Sequence, residues 1–302
     1  MPHTLARLSS GLAVAAALLW FVAVPVVASP AVNNALVGTP IRFVSVRVPR
    51  SNPNPGEPLQ VLLALHGMSS NGEDFSRDLA EQADHYGWLL VAPTVDYGDW
   101  TNPSVVAREE PILIRALADY LDQLPQISGL PVRRLVLVLG YSRGAQLAHR
   151  FAEFRPDKVL AVAALSAGAY TLPVVASPQG DMSFPFGVRD LATYTGGAFD
   201  STRFGNIPFW IGVGSLDTNP ADLPRQWDTY EGTTRVQRAQ AFENAMQQLG
   251  ASSVLRVFRG ARHEVTPEMR LAACKFLGGD TPPTDAPVAT GGSTGTIPDY
   301  AN

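Results

Sequence analysis

Short, almost uninterrupted runs of apolar residues alternate with helical patterns along this chain, and they constrain its fold more than any other feature. Amphipathic segments with polar caps, typical of helices, separate the runs. Strands that alternate with helices form a mostly parallel sheet with helices on both faces, so we predict an α/β fold. The runs, typical of strands buried on both faces, are "LQVLLAL", "WLLVAP", "RLVLVLG", "VLAVAALSA" and "IPFWIGVGS".

Further elements complete the predicted order. Residues 41–48 alternate apolar and polar side chains, as an edge strand does, and a last strand is predicted at 253–260. Helices are predicted at 71–87, 107–124, 145–154, 235–250 and 266–277.

The N-terminal segment, residues 1–28, has the pattern of an export signal. Arg7 supplies positive charge, the residues up to Val27 are mostly apolar, and small residues precede a cleavage site predicted after Ala28. An uncleaved membrane anchor is the alternative interpretation. We therefore predict a secreted or periplasmic protein with no stable membrane association after cleavage. In the alternative, the protein is anchored at its N-terminus and faces outward.

The rest of the chain is predicted to form one domain over residues 41–278, preceded by a linker at 29–40. The Gly-, Pro- and Thr-rich residues 279–302 cannot bury enough apolar surface to order themselves. Residues 172–206 interrupt the alternation of strands and helices and contain several aromatic residues. A cap over the strand ends and a long surface loop with a small core of its own are both compatible with this segment.

Charge and cysteine content exclude several classes of function. The formal net charge is -4 and no cluster of Lys and Arg is present, so nucleic acid is not a predicted partner. Cys274 is the only cysteine, and its amphipathic helical surroundings indicate a core residue. One cysteine cannot build a zinc site, and the histidines and acids lack ligand spacing. We predict neither a metal nor another cofactor.

A serine between two glycines ends one of the apolar strands, in "GYSRG" at 140–144. A sharp turn from strand to helix strains the central residue, and Gly140 and Gly144 relieve the crowding around it. Ser142 would then lie above the carboxyl edge of the sheet, where the free N–H groups of a helix face developing negative charge. This placement favours a nucleophilic serine, with a glycine-bounded turn and an idle serine as the alternative.

A serine nucleophile needs a general base, and the base needs an acid that orients it. His263 follows the last predicted strand, at the same edge of the sheet as Ser142, and is the predicted base. Asp217 follows the preceding strand and is the predicted acid, with Asp222 and Asp228 as the other candidates.

Backbone N–H groups that could hold an oxyanion are predicted at two positions. The N–H of Arg143 comes directly after the serine, and the N–H of Met68 lies in the loop after "LQVLLAL". Gly67 would let this loop approach closely, and His66 is interpreted as a structural residue that ties the loop down. Tyr97, Trp100 and Tyr141 are candidates for a substrate pocket, with a small satellite core as the alternative.

Motifs in four separate places occur in the order found in one known superfamily: "LALHGM", "GYSRG", "GVGSLD" and "GARHE". Over roughly residues 41–278 the chain resembles the α/β-hydrolases. Within them it is similar to the secreted esterase and polyhydroxyalkanoate-depolymerase-like branch, notably in "LHGMSSNGEDF". Members of that branch often have a third glycine after the serine turn, where this chain has Ala145, and more cysteines.

The resemblance implies an exported serine carboxylesterase-type hydrolase. Its substrate would be a small-molecule or polymeric ester, cleaved through a Ser-His-Asp triad and an acyl-enzyme without a cofactor. A serine peptidase acting on short peptides and a non-catalytic binding protein with a hydrolase fold remain the alternatives.

Overall fold

Strands and helices alternate along residues 36–280, which are the residues that this computed structural model describes. The predicted signal segment, residues 29–35 of the linker and residues 281–302 of the tail lie outside them. The strands are β1 (Ile41–Arg47), β2 (Gln60–Leu65), β3 (Trp88–Val95), β4 (Val136–Tyr141), β5 (Val159–Leu165), β6 (Ala176–Ser177), β7 (Gly180–Asp181), β8 (Phe209–Gly214) and β9 (Ser253–Phe258). The helices are α1 (Gly72–Asp78), α2 (Ala80–Tyr86), α3 (Pro103–Ser128), α4 (Arg143–Phe154), α5 (Ala192–Thr195), α6 (Ser201–Gly205), α7 (Asp228–Glu231), α8 (Arg235–Gln248) and α9 (Pro267–Gly278).

The main sheet has seven strands in the order β1-β3-β2-β4-β5-β8-β9. Strand β1 pairs antiparallel with β3 at one edge, and the other six strands are parallel to one another. The prediction of a mostly parallel sheet is thereby confirmed. Because parallel strands end at the same edge, the loops that follow β2, β4, β8 and β9 all lie on one side of the sheet.

Separate apolar cores cover the two faces of the sheet. Along β2, Leu63 and Leu65 belong to one core, and Leu62 and Ala64 belong to the other, as the alternating direction of strand side chains requires. Helices α3, α4 and α8 pack on the first face, and α1, α2 and α9 pack on the second. Both faces are therefore buried, which explains why the central strands are apolar without alternation.

Two helices differ most from their predicted bounds. The helix predicted at 71–87 is divided into α1 and α2, which meet at Leu79. The prediction ended the next helix before Pro125, whereas α3 continues to Ser128 with that proline inside it. Pro125 lacks an N–H but keeps its carbonyl, which accepts the N–H of Gly129 at 3.0 Å and closes the last turn.

The segment 172–206 contains the short hairpin of β6 and β7 and the short helices α5 and α6. Its aromatic side chains join the main core. Phe184 packs against Phe154 at the end of α4, and Phe204 packs against Phe209 in β8. The contact with Phe154 lies at the end of α4 that is remote from Ser142. Within residues 36–280, no helix combines the length and the apolar character needed to cross a membrane.

Candidate active site

Ser142 lies in a strained turn between β4 and α4. Its φ and ψ are 54° and -115°, a positive φ that residues with a side chain rarely adopt. A Cβ atom on Gly140 would overlap the carbonyl oxygen of Gly144, and a Cβ on Gly144 would overlap that of Leu65. Glycine is therefore required on both sides of the serine because backbone atoms approach too closely for any other residue.

Ser142, His263 and Asp217 are joined by hydrogen bonds. Oγ of Ser142 is 2.9 Å from Nε2 of His263, and Nδ1 of His263 is 2.8 Å from Oδ2 of Asp217. The carboxylate can only accept, so Nδ1 carries the ring proton and Nε2 is free to accept the hydroxyl proton of the serine. The three residues follow β4, β9 and β8, so the structure brings together the side chains that the sequence singled out. Such a series can pass a proton from the serine to the imidazole.

The remaining carboxylate oxygen of Asp217 binds an arginine that the sequence analysis missed. Nη1 of Arg235 donates to Oδ1 of Asp217 at 2.9 Å. The other two candidate acids are engaged elsewhere: Asp222 accepts from Asn219, and Asp228 forms ion pairs with arginines. Among residues 36–280, no three His, Cys, Asp or Glu side chains are grouped as metal ligands would be.

Tyr141, proposed from the sequence as a pocket residue, contacts His263 directly. Its O–H donates to the backbone oxygen of His263 at 2.9 Å, and the two rings stack with centroids 5.2 Å apart. Burial raises the pKa of Tyr141 to about 12, so the hydroxyl keeps the proton that it donates. These contacts hold both the main chain and the ring of His263, which the sequence analysis did not foresee.

The loop after β2 lies against Ser142. A Cβ atom on Gly67 would be 3.2 Å from Cβ of Ser142 and 3.1 Å from the ring of Tyr141, so the backbone passes close to the serine. Within residues 36–280, the N–H groups of Met68 and Arg143 donate no hydrogen bond to a backbone carbonyl in the loops and turns. Both N–H groups therefore stay candidates for an oxyanion site.

His66 fixes this loop. Its Nδ1 donates to the carbonyl oxygen of Gly67 at 2.7 Å, and its Nε2 accepts the N–H of Val95 at 2.9 Å. Burial lowers the pKa of His66, which keeps the ring neutral and able to accept at one nitrogen. Both ring nitrogens are thus engaged by the main chain, in line with the structural role inferred from the sequence.

The two other pocket candidates contact loops that follow strands of the sheet. The hydroxyl of Tyr97 donates to the carbonyl oxygen of His66 at 2.9 Å, and the guanidinium of Arg143 lies 4.9 Å from the centroid of the Tyr97 ring. Trp100 lies against Gly168, just after β5: a Cβ atom there would be 2.9 Å from its ring. Tyr97 therefore supports the loop that follows β2, and Trp100 lies against the loop that follows β5.

The side chain of Arg143 points into the protein. It forms an ion pair with Glu110 of α3, whose carboxylate also accepts two hydrogen bonds from Arg150 at 3.0 Å each. All three side chains are buried. The guanidinium of Arg143 is thus used within the fold, and only its backbone N–H is free near the serine.

Comparisons with known proteins reveal similarity in fold. No family model matches this sequence, and no curated protein matches it. A poly(3-hydroxybutyrate) depolymerase from Bordetella parapertussis has a TM-score of 0.58 and 23% identity, over 80% of this chain and 86% of that chain. A poly(aspartic acid) hydrolase from a Sphingomonas species has a TM-score of 0.56 and 21% identity, over 78% and 92% of the two chains. A phospholipase/carboxylesterase from Dyadobacter fermentans has a TM-score of 0.51 and 15% identity, over 79% and 97%.

Proposed function

We propose that this chain, which has the α/β-hydrolase fold, is a serine hydrolase that cleaves carboxylic esters through an acyl-enzyme. The observation that carries the proposal is the hydrogen-bonded series of Ser142, His263 and Asp217, with distances of 2.9 Å and 2.8 Å. A serine hydroxyl is a poor nucleophile near neutral pH, and an adjacent imidazole oriented by a carboxylate is the arrangement that activates it.

In the proposed mechanism, Oγ of Ser142 attacks the ester carbonyl carbon while Nε2 of His263 takes the hydroxyl proton. Asp217 holds Nδ1–H and stabilises the imidazolium. The N–H groups of Arg143 and Met68 would bind the oxyanion, and each such donor is worth about 3 kcal/mol in the transition state. The imidazolium returns its proton to the departing alcohol, and water then cleaves the acyl-serine bond by the same route.

Exposed apolar side chains in the loops that carry site residues support an ester with apolar groups. Met68 is 43% exposed in the loop that borders Ser142, and Leu216, directly before Asp217, is 49% exposed. Large apolar side chains left in water beside a polar site are suited to contact apolar substrate parts. A depolymerase of a polyester is among the proteins with a similar fold, so polymeric esters belong in the substrate panel beside small ones.

The first experiment incubates the purified protein with p-nitrophenyl butyrate and, separately, with a fluorophosphonate probe. We expect the wild type to hydrolyse the ester and to be labelled, and S142A and H263A to lose turnover by at least about 10³-fold. S104A is the matched control, because Ser104 is an exposed serine in the first turn of α3. Labelling that survives in S142A would remove Ser142 as the nucleophile.

A folded wild type with neither turnover nor labelling would refute the enzyme and favour a binding protein. Peptide amides and poly(3-hydroxybutyrate) in the same panel separate an esterase from a peptidase and from a depolymerase.

We also propose that the protein acts outside the cytoplasm, because residues 1–28 have the pattern of an export signal. Mass spectrometry of the exported protein is expected to find Ser29 as the first residue. An intact N-terminus in the membrane fraction would favour the anchored alternative.

A further inference from the structure

A buried arginine contacts the oxygen of Asp217 that faces away from His263. Nη1 of Arg235 is 2.9 Å from Oδ1 of Asp217, while Oδ2 accepts from His263 at 2.8 Å. The side chains of Arg235 and Asp217 are only 4% and 2% exposed. Opposite charges interact strongly when they are removed from water, so the arginine offsets the cost of burying the carboxylate.

We propose that Arg235 is a positioning residue of this site, an inference that rests on the proposed function. It holds Asp217 in one orientation, and its positive charge opposes the imidazolium that forms on His263. Removing this charge should therefore make His263 easier to protonate, which moves the acid limb of activity to higher pH.

The backbone fixes the position of this guanidinium. Arg235 is the first residue of α8, which begins with a capping box made by Thr234 and Gln237. Nη2 of Arg235 also donates to the carbonyl oxygen of Asp222 at 3.3 Å, so one guanidinium ties the loop after β8 to the start of α8. A cation in the first turn is unfavourable for a helix, so helix stability does not explain this residue, whereas the contact with Asp217 does.

The tyrosine hydroxyls around Asp217 do not supply a charge comparable with the positive charge of Arg235. Burial raises the pKa of the Tyr141 and Tyr170 hydroxyls, which face this region and therefore stay neutral. Within residues 36–280, Arg235 is the arginine or lysine that forms an ion pair with Asp217. The further titratable groups around these tyrosines and around Arg235 are Glu231, Glu243, Glu264 and Arg238, the last of which is paired with Asp228.

The test compares R235Q, which removes the charge, with R235K, which keeps it. R225Q is the matched control, because Arg225 is exposed and pairs with Asp228 in the same part of the chain. Ester hydrolysis is measured between about pH 5 and pH 9 for kcat, KM and the acid limb of kcat/KM. NMR follows the titration of the His263 ring in the absence of substrate, with its signal assigned by the loss of that signal in H263A.

We expect R235Q to lower kcat about tenfold or more, because Asp217 loses the contact that orients it. KM should stay within about twofold, because Arg235 is buried and does not touch substrate. The acid limb and the NMR midpoint of His263 should both move upward by about one pH unit. R235K should keep both midpoints within about 0.3 pH unit of wild type, and R225Q should leave all of these quantities unchanged.

Unmoved midpoints in a folded R235Q, or an equal shift in R235K, would overturn the proposal. Thermal unfolding shows which variants fold. If R235Q does not fold, the R235K variant tests the proposal alone. A reduced kcat with unmoved midpoints in R235K supports the proposal, and moved midpoints overturn it. A wild type that hydrolyses no ester would refute the proposed function, whereas the NMR midpoints would still decide the role of Arg235.

Discussion

Glu110 forms an ion pair with Arg143, the residue directly after Ser142 in the chain. The two side chains are 0% and 5% exposed. The pair joins the first turn of α4 to the N-terminal third of α3, and Arg150 binds the same carboxylate two turns further along α4. Arg143, whose N–H is a predicted oxyanion donor, is thereby held by its side chain as well as by its helix.

Replacing Glu110 with Gln should destabilise the protein. Two guanidinium groups would lose the carboxylate that compensates their burial, and breaking a buried pair costs about 3 kcal/mol or more. Urea unfolding of E110Q measures this loss. E109Q, which removes a partly exposed acid paired with Arg108, should change the free energy of unfolding by less than about 1 kcal/mol. Equal stabilities of the two variants would contradict this account.

Replacing Asp217 with Asn should lower kcat for p-nitrophenyl butyrate by about 10³–10⁴-fold, because an amide no longer fixes the proton on Nδ1 of His263. Asp222 provides the control, since its exposed carboxylate accepts from Asn219 and not from His263. D222N should retain activity within about threefold. A D217N variant as active as D222N would show that the imidazole needs no acid.

Replacing Gly144 with Ala should disrupt the serine turn, because the new methyl group would overlap the carbonyl oxygen of Leu65. Backbone atoms cannot move aside cheaply, so a loss of about 2 kcal/mol or more and a large loss of activity are expected. G205A is the control, because nothing lies within 4 Å of a Cβ atom built there. It should change the free energy of unfolding by no more than about 1 kcal/mol.

Glu231 should make stability depend on pH. Burial raises its pKa from 4.5 to about 8, although its carboxylate accepts the N–H of Tyr170 at 3.0 Å. Between about pH 4.5 and pH 8 the unfolded chain releases this proton and the folded protein keeps it, so the free energy of unfolding falls as pH rises. Below that range both states hold the proton, and above it both have lost it.

Comparison with E231Q isolates this contribution. The two proteins should be similarly stable near pH 5, and E231Q should exceed the wild type by about 2–4 kcal/mol near pH 8. E81Q controls for the loss of an exposed acid. A difference between wild type and E231Q that stays constant with pH would contradict the prediction.

The sequence predicted the residues that stand at strand ends and missed those that act across elements. Ser142, Asp217 and His263 each follow a predicted strand, and parallel strands end at one edge, so their proximity could be inferred. The contacts of Glu110 and Arg235 depend on how α3 and α8 pack, which strand periodicity does not define.

Signals for both missed residues were nevertheless present. Glu110 lies on the buried stripe of α3 with Val106 and Leu113. An acid is almost never fully buried unless it is paired, so this position indicates a partner. Arg235 is a cation at the start of a helix, where the helix dipole opposes it. Both are conflicts between a residue and its local position, and a contact from elsewhere in the fold resolves each of them.

The position of β9 in the sheet has a consequence for how the protein would lose function. β9 pairs with β8 on one side only, whereas β4, which leads to Ser142, has neighbours on both sides. A border strand detaches at a lower free-energy cost than the centre of a sheet. Mild denaturant should therefore separate the imidazole from the serine, and reversibly abolish the proposed ester hydrolysis, while circular dichroism still reports a folded protein.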